Sequence, residues 1–409
     1  MKNFFKVTDL DDVLELVSEF KTVEKEIIPI LQAGGRIIAE NIISDMDLPD
    51  FARSTMDGYA VQASSTFGAT EGNPAFLKIA GTVLMGETAE LSIAPGEAAK
   101  ISTGGMLPEG ADSVVMIEHT QNIDEMALEI FRSVAPGSNI IEKGEDFSKG
   151  ETMLTSGCRL RPQEIGLLAA FGRDMITVYK KPIVGIISTG DEIVPINEKP
   201  GPARIRDINS YSLSDLVIQT GGVPVPYGIV RDNFSDLNEK CSLAHEKSDM
   251  VMISGGSSVG TRDYTIDVLA SLPDAKILVH GISISPGKPT ILAAASGKPV
   301  WGLPGHVVSS MVVFHMVVRS FIEHISGRSS GSGQHREIPA RLSRNISSAQ
   351  GRLDCIRVRL TQKEGQLAAE PILGKSALIN TMVKADGIIV IGLNSEGLEK
   401  GSRVSVIPI

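Results

Sequence analysis

Two loops of small residues, each ending in acid, carry the strongest chemical signal in the chain. They are Ile187-Ser188-Thr189-Gly190-Asp191-Glu192 and Ile253-Ser254-Gly255-Gly256-Ser257-Ser258-Val259-Gly260-Thr261-Arg262-Asp263, and both follow apolar, strand-like runs. Small residues let backbone N–H groups converge on an anion, and trailing carboxylates can hold a divalent cation beside it. The carboxyl ends of parallel strands are where an open α/β sheet places its ligand. The loops therefore predict chemistry on a phosphorylated or oxyanionic substrate. Asp191, Glu192 and Asp263 are candidates for Mg²⁺, which takes one or two carboxylates and fills its shell with water and substrate oxygens. The plainer reading is that Asp191 shapes a turn and Asp263 caps a helix starting near Tyr264.

Further pieces fit the same chemistry. Gly302-Leu303-Pro304-Gly305-His306 falls between a strand and a helix, where free amides make an anion seat. Ser285-Pro286-Gly287-Lys288-Pro289 presents Lys288 on a stiff loop, suited as a point charge for phosphate or oxyanion. His306 reads as a cap or packing residue as readily as a ligand. By composition alone Asp57-Gly58 is a turn and Arg231-Asp232-Asn233 is the lead-in to a helix. No Ser-His-Asp or Cys-His arrangement supports a covalent nucleophile.

The elements that must hold these loops follow from periodicity. Apolar residues from Val13 to Ile27, opened by Thr8 and Asp9, predict an amphipathic helix over Leu10 to Ile30. From Asp45 to Ile140, short β-type runs are separated by Gly and Pro. A helix over Gln163 to Phe171 precedes a strand at Ile176 to Tyr179. Strands at Ile183–Ile187, Pro224–Ile229, Met250–Ile253 and Val300–Leu303 then alternate with helices at Ile208–Gln219, Asp236–His245, Tyr264–Ala270 and about Val307–Ile325. That alternation means βαβ units and a doubly wound, mostly parallel sheet. Ser326 to Gly333 has the composition of a flexible linker, and short strands at Asp354–Leu360, Gly387–Ile391 and Arg403–Ile407 form a small β-domain.

The 409 residues leave room for several domains, and a net charge of −10 argues against a nucleic-acid surface. Cys158, Cys241 and Cys355 form no CxxC pair, which fits a reduced, cytoplasmic setting. Met1 to Lys6 lacks the apolar core of a signal peptide. The apolar stretch Val307 to Ile322, interrupted by His315 and Arg319, is too short for a membrane span and reads as a buried helix.

The fragments also occur in one order that resembles a known family. Asp50-Phe51-Ala52-Arg53-Ser54-Thr55-Met56-Asp57-Gly58-Tyr59-Ala60-Val61 resembles its N-terminal signature, and Thr103-Gly104-Gly105-Met106-Leu107-Pro108-Glu109-Gly110-Ala111-Asp112 its second. The two acid-ended loops, Asp263-Tyr264-Thr265, Pro286-Gly287-Lys288-Pro289 and Gly302-Leu303-Pro304-Gly305 match the rest. By these motifs the chain is similar, over nearly its whole length, to the molybdopterin molybdenumtransferases, which include the C-terminal domain of gephyrin.

The resemblance implies an α/β multidomain fold in four parts. These are a discontinuous helical/strand domain (1–44 and 141–180), an inserted β-rich domain (45–140), a doubly wound molybdopterin-binding α/β domain (181–327) and a C-terminal β-barrel (328–409). It implies a homodimer whose cleft lies between the α/β domain of one subunit and the β-domain of the other. The implied reaction inserts molybdenum from molybdate into adenylylated molybdopterin with Mg²⁺, releasing AMP and molybdenum cofactor. The molybdopterin adenylyltransferase is a candidate partner; nucleic acid and membrane are not.

Carried over residue by residue, Asp57, Glu192, Asp232 and Asp263 match the family's acids, with Lys288 beside them, and Asp191, Glu192, Asp232 and Asp263 are its metal candidates. Gly255, Gly256, Ser257, Ser258 and Gly260 match the pterin-phosphate cradle, flanked by Ser188, Thr189 and Gly190. Thr103, Pro286, Gly287, Pro304 and Gly305 fall in cleft motifs. Gly351-Arg352-Leu353-Asp354-Cys355-Ile356-Arg357 resembles the segment bearing an arginine, here Arg357, near the molybdate, and Ser376 matches a serine there. The departures cluster. Gly281 and Ser285 stand where the family carries basic residues, His306-Val307 replaces Asn-Pro, and Lys375-Ser376 replaces Gly-Ser. Two lost cations weaken oxyanion capture, since charge-assisted hydrogen bonds are worth about 1.5–3 kcal/mol each. The alternative readings are a paralogue that binds molybdopterin or finished cofactor without turnover, or one that inserts tungsten. Adenylyl transfer to molybdopterin is a further enzymatic rival, opposed by the extra β-domains and the Asp57 motif.

Overall fold

The computed structural model describes residues 7–255, 264–329, 337–363 and 365–409. The chain forms two compact units, 41–155 and the remainder.

The larger unit is built on six strands and four helices: β1 (Ile183–Thr189), α1 (Asn209–Thr220), β2 (Val223–Val230), α2 (Phe234–Lys247), β3 (Met250–Ser254), α3 (Thr265–Ser271), β4 (Lys276–His280), β5 (Ile291–Ala295), β6 (Lys298–Leu303) and α4 (Val307–Ile325). The sheet order is β2-β1-β3-β6-β5-β4, with β2, β1, β3 and β6 parallel and β5 and β4 antiparallel to their neighbours. Strand residues alternate between two cores. Val184, Ile186, Met250 and Met252 pack with α1 and α4, whereas Ile187, Val251 and Ile253 pack with α2 and α3. Side chains burying both faces explain why these strands read as continuous apolar runs.

Helix α4 is long and apolar enough by composition to cross a membrane. Here it is a core helix. Val313, Phe314, Val317, Phe321 and Ile322 lie against the sheet, and the Phe321 ring meets Trp301 edge-on at 4.9 Å between centroids. A π-type turn runs from Phe314 to Val318 within it.

Beyond α4 the unit closes a five-stranded barrel from β7 (Ile338–Leu342), β8 (Leu353–Lys363), β9 (Gln366–Pro371), β10 (Gly387–Ile391) and β11 (Arg403–Pro408). The order β8-β9-β7-β11-β10 returns to β8, so no edge remains among these five. The bridging pair Ile284–Ser285 runs parallel to Leu353–Asp354 and stitches the α/β layer to the barrel. Residues 330–336, which include the second half of the linker read from composition, lie outside the described residues, while the Ser329 N–H donates to the Gly157 carbonyl at 3.1 Å.

The expected helix from Leu10 to Ile30 is corrected. Helix covers only Leu10–Glu15, a 3-10 turn follows to Glu19, and Lys25–Pro29 is a strand paired antiparallel with Met175–Tyr179. Leu10, Val13 and Phe20 reach the α/β core, but the β-branched pair Ile27-Ile28 before Pro29 favours extended backbone once a partner strand is present.

The smaller unit contains a six-stranded sheet ordered Ser113–Met116, Gly58–Val61, Glu97–Ile101, Ala75–Thr82, Ala127–Ile130 and Thr120–Asn122. Short pairings such as Thr152–Leu154 with Ile42–Ile43 close its ends.

Candidate functional site

The chain leaves β1 for β2 on one side and returns to β3 on the other, so β1 and β3 flank the switch point of the sheet. Their ends, Thr189 and Ser254, line a cleft of about 1170 Å³. Its walls include Glu192, Asp232, Gly255, Pro286, Gly287, Lys288, Pro304, Gly305 and Ser376, which are residues the sequence nominated.

The acidic wall is ordered by backbone and hydroxyl contacts. Thr189 is buried, and its hydroxyl donates to Asp232 Oδ1 at 2.6 Å. The Asp232 N–H in turn donates to Asp191 Oδ1 at 3.3 Å. Asp191 and Glu192 are exposed, Glu192 facing the cleft beside Asp232. Ser188 and Gly190 hold the loop from behind. The Ser188 hydroxyl is fully buried and donates to Asp207 Oδ1 at 2.9 Å, while the Gly190 N–H donates to the Val230 carbonyl at 3.2 Å.

Gly255 has φ +116°, and a Cβ there would come 2.2 Å from the Thr189 carbonyl oxygen, so only glycine lets the second loop press against the first. Residues 256–263 lie outside the described residues, and with them the nominated Gly256, Ser257, Ser258, Gly260 and Asp263. Among the described residues no three His, Cys, Asp or Glu side chains form a metal cage.

The opposite wall is cationic. Gly287, at φ +130°, sits where a Cβ would lie 2.6 Å from Val313 Cγ2, and this close seat holds the loop that carries Lys288. Lys288 is exposed, without an ion-pair partner among the described residues. At the head of α4, His306 Nδ1 is 2.8 Å from Ser376 Oγ, and the Val308 N–H donates to the Ser376 carbonyl at 3.1 Å. The loop after β9 thus satisfies amides that the first turn of a helix leaves unpaired.

Ser285, Pro286, Arg352 and Ser376 also border a second cavity of about 320 Å³ on the barrel side. Arg357 lines it. Its guanidinium is buried; Nη2 donates to the Gly374 carbonyl at 2.9 Å, and Nε has no partner among the described residues. Burial pushes its pKa below the ordinary arginine value. A buried, under-paired guanidinium is a seat for an anion with several acceptor oxygens. Asp354 stands beside it, buried, with Arg352 Nε 3.1 Å from Oδ1 and the Ser348 hydroxyl donating to Oδ2 at 2.7 Å. Burial alone would raise the Asp354 pKa. Hydrogen bonds from Ser348 and Ser285 and the charge of Arg352 outweigh it, holding the carboxyl below the usual range.

Sequence reasoning missed Asn209, a cleft residue at the start of α1, because polar residues ahead of an apolar helix are ordinary capping chemistry. It also missed Ile193 and Ile205, which give one end of the cleft an apolar wall. The thiols supply no nucleophile: burial drives Cys241 and Cys355 up to about 12 and raises Cys158.

Asp57 and Thr103 belong to the smaller unit, where they meet each other. The Thr103 N–H and hydroxyl donate to Asp57 Oδ1 at 2.7 and 3.2 Å. Gly58 is there for packing, since a Cβ would lie 1.9 Å from the Val115 carbonyl oxygen.

Three family models match in order: the MoeA N-terminal region (domain I and II) over residues 8–172, a probable molybdopterin binding domain over 185–324, and the MoeA C-terminal region (domain IV) over 339–409. The chain is 36% identical to a molybdopterin molybdenumtransferase of Nostoc sp. PCC 7120, covering 75% of this chain and 71% of the relative. It is 31% identical to the molybdopterin molybdenumtransferase of Bacillus subtilis strain 168, covering 98% and 94%. Among solved structures, a molybdopterin biosynthesis protein of Pyrococcus horikoshii OT3 superposes with a TM-score of 0.84 at 30% identity, covering 99% of this chain and all of that one.

Proposed function

The chain belongs to the molybdopterin molybdenumtransferase family, enzymes of molybdenum cofactor biosynthesis, and on that premise we propose that it inserts molybdenum from molybdate into adenylylated molybdopterin, releasing AMP and molybdenum cofactor. The observation that carries this reading is the junction of an acid-lined cleft with a cavity holding the buried, under-paired Arg357. Carboxylates would hold the divalent cation that a phosphoanhydride needs, and a guanidinium suits a tetrahedral oxyanion; the shared border of the two cavities brings these environments within reach of each other.

In this account the Gly255–Gly260 loop, with Thr189 and Gly190, cradles the pterin phosphate, and Pro286, Gly287, Pro304 and Gly305 shape the facing wall. Lys288, Arg357 and Ser376 hold the oxyanion by charge-assisted hydrogen bonds. Glu192 and Asp232, with Asp191 and Asp263 as the other nominated acids, offer the hard oxygen donors that Mg²⁺ prefers, and when bound there it would neutralise charge at the adenylate phosphate. Asp232, oriented by the Thr189 hydroxyl, faces the substrate without searching rotamers. The rate then comes from positioning and electrostatics rather than from a covalent nucleophile.

The proposal includes a cytoplasmic homodimer in which the partner's Asp57, set by Thr103, completes the cleft, and delivery of substrate by the molybdopterin adenylyltransferase. The free cysteines suit a reducing compartment. The test is AMP release from adenylylated molybdopterin with Mg²⁺ and either molybdate or tungstate. Release that depends on molybdate supports the reading, and dependence on tungstate alone changes the metal. Tight substrate binding without AMP under either oxyanion overturns the enzyme reading in favour of a cofactor-binding paralogue.

A further inference from the structure

We infer that Asn209 is a positioning residue that holds the two glycine loops of the cleft in the register that substrate requires; this rests on the reading of the cleft given above. Asn209 is the first residue of α1 and is 8% exposed. Its amide nitrogen donates to Ser254 Oγ at 2.6 Å and to the Gly305 carbonyl at 2.8 Å. One NH₂ group therefore ties the end of β3, where the Gly255 loop begins, to the Gly302–Gly305 loop that heads α4.

The two loops leave paired neighbouring strands and share a backbone contact there, the Gly255 N–H donating to the Leu303 carbonyl at 3.2 Å. Further on, a Cβ on Gly305 would lie 3.5 Å from Gly255 Cα, and at that point Asn209 supplies the side-chain tie among the described residues. A side-chain amide places two uncharged donors on one nitrogen, so a short side chain can face a hydroxyl and a carbonyl together. Aspartate would set a carboxylate against the Gly305 carbonyl, and serine would reach only one partner.

A second observation separates this from ordinary packing. Asn209 Oδ1 is buried and unpartnered among the described residues, although Asn209 lines the cleft. Buried acceptors without partners are rare in folded proteins and call for an explanation. Here the amide is kept for its two donors, with the oxygen left over. The residue is anchored from behind by Asp207, whose Oδ1 accepts from the Ser188 hydroxyl and the Ser210 N–H. The same short segment thus fixes the ends of β1 and β3 and the head of α4.

The experiment compares wild type with Asn209→Ala, Asn209→Asp and Ser254→Ala in the full chain. Two quantities are read: AMP release from adenylylated molybdopterin, and the dissociation constant of molybdopterin alone. Misplacing loops that must grip one substrate together is expected to lower kcat for Asn209→Ala about 100-fold. Molybdopterin alone, which in this account is gripped by the Gly255 loop, should keep a dissociation constant near the wild-type value. Asn209→Asp should match Asn209→Ala, and Ser254→Ala should fall between them and wild type. The double variant Asn209→Ala/Ser254→Ala should be no worse than Asn209→Ala, because the two share one interaction.

Wild-type kcat in Asn209→Ala overturns the inference. So does a loss of bound molybdopterin in proportion to lost rate, which would mark a folding defect. If Asn209→Ala does not fold, Ser254→Ala decides alone by the same split between rate and binding. A wild-type protein that releases no AMP overturns the functional reading instead, so the two failures are distinct.

Discussion

The two halves of the cleft are built in opposite ways. The acidic half comes from neighbouring strand ends, and backbone geometry does the positioning: Gly255 presses on the Thr189 carbonyl, and Thr189 orients Asp232. The cationic half comes from places far apart in the chain. Lys288 sits on a loop between strands, His306 heads α4, Ser376 follows β9 and Arg357 lies on β8, on the face turned away from the barrel core. A strand end can present a metal or phosphate ligand through local chain geometry. An oxyanion pocket that excludes water has to be assembled by tertiary packing, and its specificity is open to change wherever one contributing element changes.

The contrast predicts that substitutions in the two halves fail differently. The largest effect belongs to the acidic half. Asp232→Asn should lower the rate of AMP release about 100- to 1,000-fold, with little change in the molybdate concentration that half-saturates it, as measured in steady-state turnover. Arg357→Ala should do the reverse, raising the half-saturating molybdate about 10- to 100-fold, as expected for losing one charge-assisted contact of about 1.5–3 kcal/mol. Arg357→Lys keeps the charge but not the fork, so recovery by lysine should be partial.

A smaller effect tests whether backbone geometry governs the acidic half. Gly255→Ala forces a side chain into a left-handed conformation against a carbonyl, a strain of about 1–3 kcal/mol. Thermal unfolding should show a Tm lower by several degrees. An unchanged Tm would mean that the loop simply relaxes, and the comparison would lose its basis.

How much of this was legible in the sequence divides along the same line. The βαβ alternation and the placing of Ser188–Glu192 and Ser254–Gly255 at strand ends could be read directly, because strand ends carry their chemistry in consecutive residues. The barrel cavity could not. Arg357 was nominated only through resemblance, and nothing local marks it as buried with an Nε unpartnered among the described residues. Ser285 replaces a cation in the family pattern, yet in the fold it hydrogen-bonds Asp354, which also meets Arg352. That arrangement depends on the parallel pairing of Ile284–Ser285 with Leu353–Asp354, a long-range register no periodicity reports. The same blindness explains Lys25–Pro29, where a partner strand some 150 residues away overrides a helical pattern. Asn209 was passed over for a third reason, since its residue type is common at helix starts for purely local causes.

The smallest expected effect concerns Asp354. Its pKa is held below the ordinary carboxylate value, so its ionised form stabilises the fold at neutral pH. That stability is present above the unfolded value, near pH 4, and is lost as the pH falls from there through the lower folded value. Acid titration followed by circular dichroism should show Asp354→Asn less sensitive than wild type over that range. Equal sensitivity would mean that the Ser285–Asp354–Arg352 stitch contributes nothing to joining the layer and the barrel.

The most direct test of separate duties is AMP release as a function of molybdate concentration in wild type, Asp232→Asn and Arg357→Ala. The account predicts that Asp232→Asn lowers the plateau at an unchanged midpoint, while Arg357→Ala shifts the midpoint to higher molybdate and approaches the wild-type plateau. Both variants lowering the plateau alike, or release that ignores molybdate altogether, would contradict it.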